Sequence, residues 1–348
     1  MNSFQNEIYA WFSKNKRDLP WRKNPTPYHI WLSEIILQQT RVAQGTKYFN
    51  LFIERFPTIN KLAFATENEV LKLWQGLGYY SRAINLHFTA KIIVKKYNGK
   101  FPDNYNEIIK LKGIGPYTAA AISSIAFNLP HSAVDGNIYR VLSRYFGIRT
   151  PIDSAKGKKE FLNIAEEIMF RKNPGMHNQA LMEFGALQCV PKSPKCNLCP
   201  LVSSCYANSN GLVHELPKKL KKTKQSIRYF YFYYFDNGEY TYLEKRIAND
   251  IWKNLYQFPL NETKKELSEI EVINKGIPFD IKIDGNIKSL SPIKKHILSH
   301  QILYAQLIHV ETKTIDYIST QFIRVNKKDI SKFAVPKLLE QFIEVTNI

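Results

Sequence analysis

The sequence predicts an all-helical domain followed by a smaller α+β domain, on three observations. Apolar residues recur with helical spacing through residues 1 to about 207, for example at i, i+3, i+4, i+7 and i+8 from Tyr28. A basic, proline-containing stretch without periodicity follows at residues 216–224, as is typical of a linker. Aromatic, β-rich runs then lie on either side of Asp236-Asn-Gly238, which indicates a β-hairpin.

These changes in pattern locate the domains. We expect the helical domain over residues 1–212, a basic linker over 213–226 and the α+β domain over 227–348. The second domain should close with a helix that begins near Pro336, because proline is favoured at the first helical position. Apolar periodicity also predicts helices in the first domain around residues 70–74, 84–94, 119–127, 138–145 and 161–170.

The charge of the chain points to a polyanionic partner. Its 348 residues carry a formal net charge of +19, and 13% of them are aromatic. Basic side chains neutralise phosphates and aromatic rings stack on bases, so this combination favours a nucleic acid. A proteome that is generally rich in lysine would produce the same charge without such a partner. No apolar run is long enough to span a bilayer, and we expect a cytoplasmic monomer without a membrane partner.

The four cysteines of the chain lie together as Cys189-x6-Cys196-x2-Cys199-x5-Cys205. Thiolates grouped in this way indicate one metal or cluster site over the loop 189–205. Zinc sites prefer two CxxC-like pairs or mixtures of cysteine and histidine. The single CxxC with unequal arms therefore favours a [4Fe–4S] cluster over zinc, and a disulfide framework is the weaker alternative.

Glu34 is the first candidate for acid–base chemistry. Its helical neighbours Ile30, Trp31 and Leu37 are apolar, and burial among them would raise the pKa of its carboxyl group. Such a group could hold a proton near neutrality. The alternative is a glutamate at the edge of the apolar stripe that reaches out to water.

Asp135 is the second candidate, because it directly precedes the helix predicted around 138–145. At this N-cap position it accepts backbone N–H bonds, which together with the helix dipole favour the ionised form. The alternative is a cap and nothing more. One carboxyl group biased toward the acid and one toward the anion is the arrangement that cleavage of a glycosidic bond requires.

Gly113 and Gly115 lie in the turn Leu111–Ala119, between two predicted helices. Glycine permits positive φ and close backbone approach, and the N–H groups at the start of the next helix can bind a phosphate oxygen. A plain helix–turn–helix joint is the alternative. The spacing matches the helix-hairpin-helix motif, which binds the DNA backbone without reading its sequence.

Taken in order, these motifs resemble the endonuclease III superfamily of DNA glycosylases, and within it the MutY-type adenine DNA glycosylases. The similarity covers most of residues 17–205. Besides the cysteine loop, it rests on the runs Asp18–Arg22, Trp31–Thr40, Trp74–Arg82, Leu111–Ala119 and Val134–Asn137.

The resemblance implies a monofunctional glycosylase with a [4Fe–4S] cluster on the four cysteines. Glu34 would protonate N7 of a flipped adenine and Asp135 would stabilise the cationic sugar. Tyr117 would line the pocket at a position where bifunctional members carry a lysine that forms a Schiff base. The substrate would be duplex DNA with adenine opposite 8-oxoguanine or guanine. Arg22, Gln39 and Tyr79 would contact the DNA around the lesion, the last two by entering the duplex.

By the same resemblance, the second domain is Nudix-like and recognises 8-oxoguanine. It lacks the clustered glutamates with which Nudix hydrolases hold magnesium, so we expect a reader and not a second enzyme. Leu298-Ser299-His300 occupies the place of a Phe-Ser-His loop in the family. We expect Ser299 and His300 to hydrogen-bond the modified base, whereas Leu298 cannot stack as phenylalanine would.

Two alternatives stay open at this point. The first is a catalytically silent Fe–S protein that binds DNA, which the presence of both Glu34 and Asp135 argues against. The second is an endonuclease III-like pyrimidine glycosylase, which Tyr117 and the long C-terminal domain disfavour.

An enzyme that works on chromosomal DNA would be associated with the nucleoid.

Overall fold

The computed structural model describes residues 3–220, 225–318 and 321–346. Packing divides the chain into two compact units. The helical unit comprises Met1–Phe64 and Asn85–Lys221, and the C-terminal unit comprises Ala65–Ile84 and Lys222–Ile348. The predicted order of an all-α domain and then an α+β domain is confirmed. Residues 65–84, which the sequence places inside the helical domain, pack with the C-terminal unit instead.

The helical unit consists of short helices connected by tight turns. The longest of those that lie wholly in this unit are α4 and α12, with 14 residues each. In chain order the helices are α1 (Ser3–Asn15), α2 (Pro20–Lys23), α3 (Pro27–Leu37), α4 (Val42–Arg55), α5 (Ile59–Phe64), α7 (Ser81–Tyr97, which begins in the C-terminal unit), α8 (Tyr105–Ile108), α9 (Pro116–Phe127), α10 (Gly136–Phe146), α11 (Ala155–Glu167), α12 (Pro174–Leu187) and α13 (Tyr206–Ser209).

The main core of the helical unit joins the start of the chain to helices far along it. Phe4, Ile8 and Phe12 of α1 pack against buried apolar residues of α10, α11 and α12. Helix α3 is buried on more than one face, because Ile30 and Ser33 are as inaccessible as the predicted stripe of Trp31 and Ile35. A central helix of this kind differs from the one-sided helix that the spacing predicts, and it brings Glu34 into the interior.

The C-terminal unit contains two sheets and three helices within its described residues. The strands are β1 (Ser226–Asp236), β2 (Tyr240–Lys245), β3 (Tyr256–Gln257), β4 (Leu260–Thr263), β5 (Ile281–Leu290), β6 (Lys294–Ile297), β7 (Gln301–Ile318) and β8 (Phe322–Asn326). One sheet has the order β4-β1-β7-β5, with β6 also on β7, and the other has the order β3-β2-β8. The helices that lie wholly in this unit are α6 (Glu67–Trp74), α14 (Glu269–Lys275) and α15 (Lys337–Thr346).

The β-hairpin predicted around Asp236 is wrong. A turn does form there, since the Asp236 carboxylate accepts the Gly238 N–H at 2.8 Å. However, β1 and β2 belong to different sheets, and β1 pairs in parallel with β7. Most of β1 is buried, so it needs a strand on each side, which a hairpin partner alone would not provide.

Other expectations about the ends of elements hold closely. The closing helix begins at Lys337, one residue after Pro336, and buries Leu338 and Phe342 as its spacing predicts. By contrast, residues 213–220 of the predicted linker belong to the helical unit, where the Leu220 N–H donates to Asp153 at 2.9 Å. None of the helices in the described ranges combines the length and the apolar character that a membrane span requires.

Candidate active site and DNA interface

A cleft of about 530 Å³ opens in the helical unit, and five of the predicted site residues line it. They come from four different elements or their ends, which is why no local sequence pattern shows them as one group. These five are Arg22 of α2, Glu34 of α3, Gln39 just after α3, Tyr117 of α9 and Asp135 before α10.

The position of Glu34 on the central helix gives it an unusual protonation behaviour. Burial raises the pKa of the Glu34 carboxyl from 4.5 to about 7. A hydrogen bond from Tyr117 and the charge of Arg22 oppose this rise, while the neighbouring charge of Asp135 adds to it. At neutral pH the cleft therefore contains a carboxylic acid that can donate a proton.

Asp135 is the N-cap of α10, as the sequence predicts. Its carboxylate accepts N–H bonds from Ile138 at 2.8 Å and from Asn137 at 3.0 Å, and a third bond from the Asn137 side chain at 2.7 Å. The expectation that these bonds would set the protonation state is not met, because burial raises the pKa of Asp135 while the hydrogen bonds lower it. At Asp135 three hydrogen bonds oppose the effect of burial on the pKa, whereas at Glu34 one hydrogen bond, from Tyr117, does so.

Tyr117 lies beside both carboxyl groups. Burial and the two nearby negative charges raise the pKa of its phenol well above the ordinary value, so the hydroxyl stays protonated. The hydroxyl also contacts the Met182 sulfur at 3.8 Å. Among the described residues that line the cleft there is no lysine, and hence no amine that could attack a sugar carbon.

Glu183 and Arg17 are cleft residues that sequence reasoning missed. The Glu183 side chain is only 1% exposed and forms ion pairs with Arg17 at 2.7 Å and Arg22 at 3.0 Å. Burial alone would raise the pKa of Glu183, but hydrogen bonds from both arginines outweigh it and lower the pKa to about 2. This fixed carboxylate holds the Arg22 guanidinium at the cleft. Its only signal in the sequence is a lone acidic residue within the apolar stretch 180–185.

A chain of hydrogen bonds links Asp135 to the cysteine loop. The Asn137 amide binds Asp135 and accepts a bond from Arg140 at 2.9 Å. Arg140 also donates to the backbone oxygens of Cys189 at 2.7 Å and Gly185 at 2.6 Å. The loop that carries the cysteines is thus tied to the helix that carries the catalytic candidate.

The four cysteines are all partly buried. Burial raises the pKa of the Cys199 thiol to about 11, and the other cysteines contribute to the rise. The Arg144 guanidinium donates to Cys189 Sγ at 3.4 Å and to the loop oxygen of Val190 at 2.8 Å. An iron centre binds the thiolate form, so loading of this site would release the thiol protons.

The donor set fits an iron–sulfur cluster chemically, because four thiolates from one loop can each bind a different iron of a cubane. In the described ranges, no group of His, Cys, Asp or Glu side chains is arranged around a single metal position.

The glycine hairpin joins α8 to α9 within the helical unit. Gly113 has a φ of 84°, and a β-carbon there would lie 2.8 Å from the Asn85 side chain of α7. Thr89, also of α7, donates to the Lys112 carbonyl at 2.8 Å and so fixes the turn. Gly115 is the N-cap of α9 and is exposed, which leaves its surroundings open to a phosphate.

Gln39 and Tyr79 both have left-handed backbones, with φ of 57° and 47°. A residue other than glycine held in this region costs of order 1–3 kcal/mol, a strain that is typically found at functional sites. Gln39 is exposed at the cleft. Tyr79 belongs to the C-terminal unit, is 47% exposed, and its hydroxyl is hydrogen-bonded to Ser299.

Leu298, Ser299 and His300 form the turn between β6 and β7. The Leu298 N–H donates to the Gln301 carbonyl at 2.8 Å and closes this turn. Leu298 packs against the core of the C-terminal unit, while Ser299 and His300 are exposed. The structure therefore separates the three residues into one that supports the turn and two that are exposed, with the Ser299 hydroxyl bonded to Tyr79.

Comparison with known proteins finds matches over most of the chain. A family model described as HhH-GPD superfamily base excision DNA repair protein matches residues 32–168, and one described as NUDIX domain matches residues 230–345. The adenine DNA glycosylase of Buchnera aphidicola (subspecies Acyrthosiphon pisum) is 40% identical over 94% of this chain and 91% of its own length. The human adenine DNA glycosylase is 38% identical over 60% of this chain and 40% of its own length.

The chain belongs to the adenine DNA glycosylase family. Its helical unit is also similar to a solved thermostable thymine-DNA glycosylase, with 29% identity, a TM-score of 0.56, and coverage of 60% of this chain and 95% of that structure. An endonuclease III bound to DNA, 24% identical with a TM-score of 0.53, shows the same fold. Membership in this family makes the protein a DNA-binding hydrolase of N-glycosyl bonds that acts in base excision repair.

Proposed function

We propose that the protein hydrolyses the N-glycosidic bond of adenine opposite 8-oxoguanine or guanine in duplex DNA, and that it does not cleave the strand. The observation that carries this proposal is the pair Glu34 and Asp135 with Tyr117 in one cleft of the helical unit. The bond to be broken has a basic leaving group on one side and a sugar that becomes cationic on the other. In the cleft, Glu34 is the acid that can protonate the leaving group, and Asp135 is the fixed anion that can stabilise the cationic sugar.

Glu34 donates its proton to N7 of a flipped adenine. Protonation makes the base a neutral leaving group, so the electron pair of the glycosidic bond can move onto the ring. A pKa of about 7 suits this task, because the group is partly protonated at neutral pH and still acidic enough to transfer the proton. Tyr117 orients the carboxyl group through its hydrogen bond.

Asp135 stabilises the positive charge that develops on the sugar as the base departs. Its three hydrogen bonds hold the carboxylate in one orientation. Water then adds to C1′ and loses a proton, which leaves an intact abasic site.

Tyr117 accounts for the absence of strand cleavage. A lyase needs an amine that forms an imine with C1′, and a phenol with a strongly raised pKa cannot replace it. The cleft as described contains no lysine, so an abasic product is released unless another nucleophile reaches it.

The DNA is held by three kinds of contact. The hairpin around Gly113 and Gly115 binds a backbone phosphate, without reading sequence. Gln39 fills the space that the flipped adenine leaves in the duplex. Arg22, fixed by Glu183, binds at the cleft near the flipped nucleotide.

The C-terminal unit recognises the base opposite the adenine. Ser299 and His300 are exposed in a short turn and offer hydrogen bonds to 8-oxoguanine, while Tyr79 stacks beside it. Leu298 supports the turn from inside, so it does not enter the duplex as a phenylalanine would.

Cys189, Cys196, Cys199 and Cys205 would hold a [4Fe–4S] cluster. When bound, it supplies a structural link that fixes the loop 189–205 rather than a step of the hydrolysis. The loop places Lys192 and Lys195 at the protein surface, where they can bind phosphates.

An assay with end-labelled duplexes tests this proposal. Adenine is placed opposite 8-oxoguanine, guanine or thymine, and each product is analysed with and without alkali. We expect strand breaks only after alkali, fastest opposite 8-oxoguanine, slower opposite guanine and absent opposite thymine. Equal excision opposite all three bases, or cleavage without alkali at the rate of excision, would contradict the proposal.

A further inference from the structure

Helix α6 is attached to the C-terminal end of the chain by polar contacts. The Asn68 side chain donates to the Lys332 carbonyl at 2.9 Å and accepts from the Ala334 N–H at 3.4 Å. Lys72 donates to the Phe333 carbonyl at 3.3 Å. These contacts join segments more than 260 residues apart and belong to one compact unit.

The two ends of α6 are held as well. At its start, the Glu67 carboxylate accepts from Lys245 at 3.1 Å and from Asn254 at 3.0 Å. At its end, the Gln75 amide donates to Glu340 of α15 at 2.8 Å, and its oxygen accepts from the Val335 N–H at 3.4 Å. Gln75 therefore contacts both α15 and the segment that leads into it.

The loop after Gln75 leads directly to Tyr79, and hydrogen bonds within the loop fix the position of Tyr79 relative to Gln75. Trp74 donates to the Gly78 carbonyl at 3.1 Å, and the Gly76 N–H donates to the Tyr80 hydroxyl at 3.2 Å, so the loop is closed upon itself. Tyr79 has a left-handed backbone that only a well-supported loop maintains. Its hydroxyl is hydrogen-bonded to Ser299 of the same unit.

We propose that Gln75 and Glu340 are positioning residues for the recognition of the opposite base. Their hydrogen bond fixes the loop 75–80 on α15 and so holds the Tyr79 ring at the Ser299 turn. The inference rests on the proposed function, because Tyr79 and Ser299 serve there as contacts to 8-oxoguanine. Gln75 and Glu340 are bonded to each other, so we expect their effect on recognition to pass through Tyr79.

The readout is the ratio of kcat/KM for adenine opposite 8-oxoguanine to that opposite guanine. Loss of a part-buried hydrogen bond to a charged group should lower this ratio about tenfold in Gln75→Ala. Glu344→Ala is the matched control, since it removes an exposed carboxylate from the same helix, and the ratio should not change. A fall of equal size in the control would overturn the proposal.

A charge exchange separates positioning from general damage to the fold. Gln75→Glu places two carboxylates together and should lower the ratio. Adding Glu340→Gln restores one amide and one carboxylate with the hydrogen bond reversed, so the double variant should regain most of the ratio. Failure of the double variant to recover, with a melting temperature like that of the wild type, would count against the pair.

A double-mutant cycle tests whether the effect passes through Tyr79. In a Tyr79→Ala background, Gln75→Ala should have no further effect on the ratio, and independent, additive losses would overturn the inference. The wild type, measured in parallel, distinguishes failure of the proposed function from failure of the positioning role alone. A wild type without any preference for 8-oxoguanine defeats both, whereas a preference that Gln75→Ala retains defeats only the positioning role.

Discussion

Replacement of Glu34 by glutamine is the perturbation that follows most directly from the cleft. At a pKa of about 7, roughly half of the molecules carry the proton at pH 7, whereas a carboxyl group at the ordinary value of 4.5 would carry it in about one of 300. Glutamine keeps the shape and hydrogen-bonding capacity of the side chain but has no transferable acid proton. General acid catalysis contributes about 10²–10⁴-fold, so we expect single-turnover excision to slow by that factor in Glu34→Gln.

The dependence on pH gives the same hypothesis a second measurement. Only protonated Glu34 is active, so kcat/KM of the wild type should fall as pH rises through about 7. Because Asp135 must be ionised, activity should also fall at low pH. Binding of the mispaired duplex by Glu34→Gln, measured by gel shift, should stay within about twofold of the wild type. Excision by the variant at a rate near that of the wild type would refute the role of Glu34 as the acid.

Three further outcomes follow from the same structure. Between pH 4.5 and 7 the folded state keeps a proton on Glu34 that the unfolded state releases, so the wild type loses stability as pH rises through this window. In denaturant titrations at pH 8, Glu34→Gln should therefore be more stable than the wild type by about 1–3 kcal/mol. Equal stability of the two proteins would contradict the argument that Glu34 is buried. Protein prepared anaerobically should be brown and contain about four irons per chain. Cys199→Ser should lower the iron content and the affinity for DNA more than it lowers the rate of the chemical step. Zinc in place of iron would rule out the cluster. Borohydride should trap no covalent complex with DNA, because Tyr117 cannot form an imine, and trapping at the rate of excision would show a lyase.

The parts of the fold that depend on local pattern were predictable. The spacing from Tyr28 predicts α3, the cap at Asp135 predicts the start of α10, and the spacing after Pro336 predicts α15. In each case the signal and the structure it specifies lie within one or two helical turns. The resemblance to known glycosylases supplied what these signals could not, namely that Glu34 and Asp135 belong to one cleft.

Features that depend on distant partners were not predictable. The turn at Asp236 gave a hairpin signal, but the partner of β1 is β7, about 75 residues along the chain. Glu183 is held by Arg17 across 166 residues, and its buried ion pair has no local pattern. Segment 65–84 joins the C-terminal unit through side-chain contacts across more than 260 residues, which helical periodicity does not report.

The pKa of Asp135 shows the same limit at a single residue. Its backbone capping bonds were evident from the sequence and two are present, while a third bond comes from the Asn137 side chain, which the sequence did not indicate. The extent of its burial, which acts in the opposite direction, depends on the packing of α9, α10 and α12 around the cleft. Sequence therefore identified the hydrogen bonds correctly but not the balance between them and desolvation.

The central claim is that adenine leaves by hydrolysis in the cleft of Glu34 and Asp135. It is tested most directly by mass spectrometry of both products after a single turnover in H₂¹⁸O on an A:8-oxoguanine duplex. We predict free adenine without ¹⁸O and an intact strand whose abasic sugar carries one ¹⁸O at C1′, with both products formed about 10²–10⁴-fold more slowly by Glu34→Gln. The abasic strand is reduced with borohydride immediately after quenching, so that the label does not exchange with solvent. Release of a different base, or a strand already cleaved by β-elimination, would contradict the account.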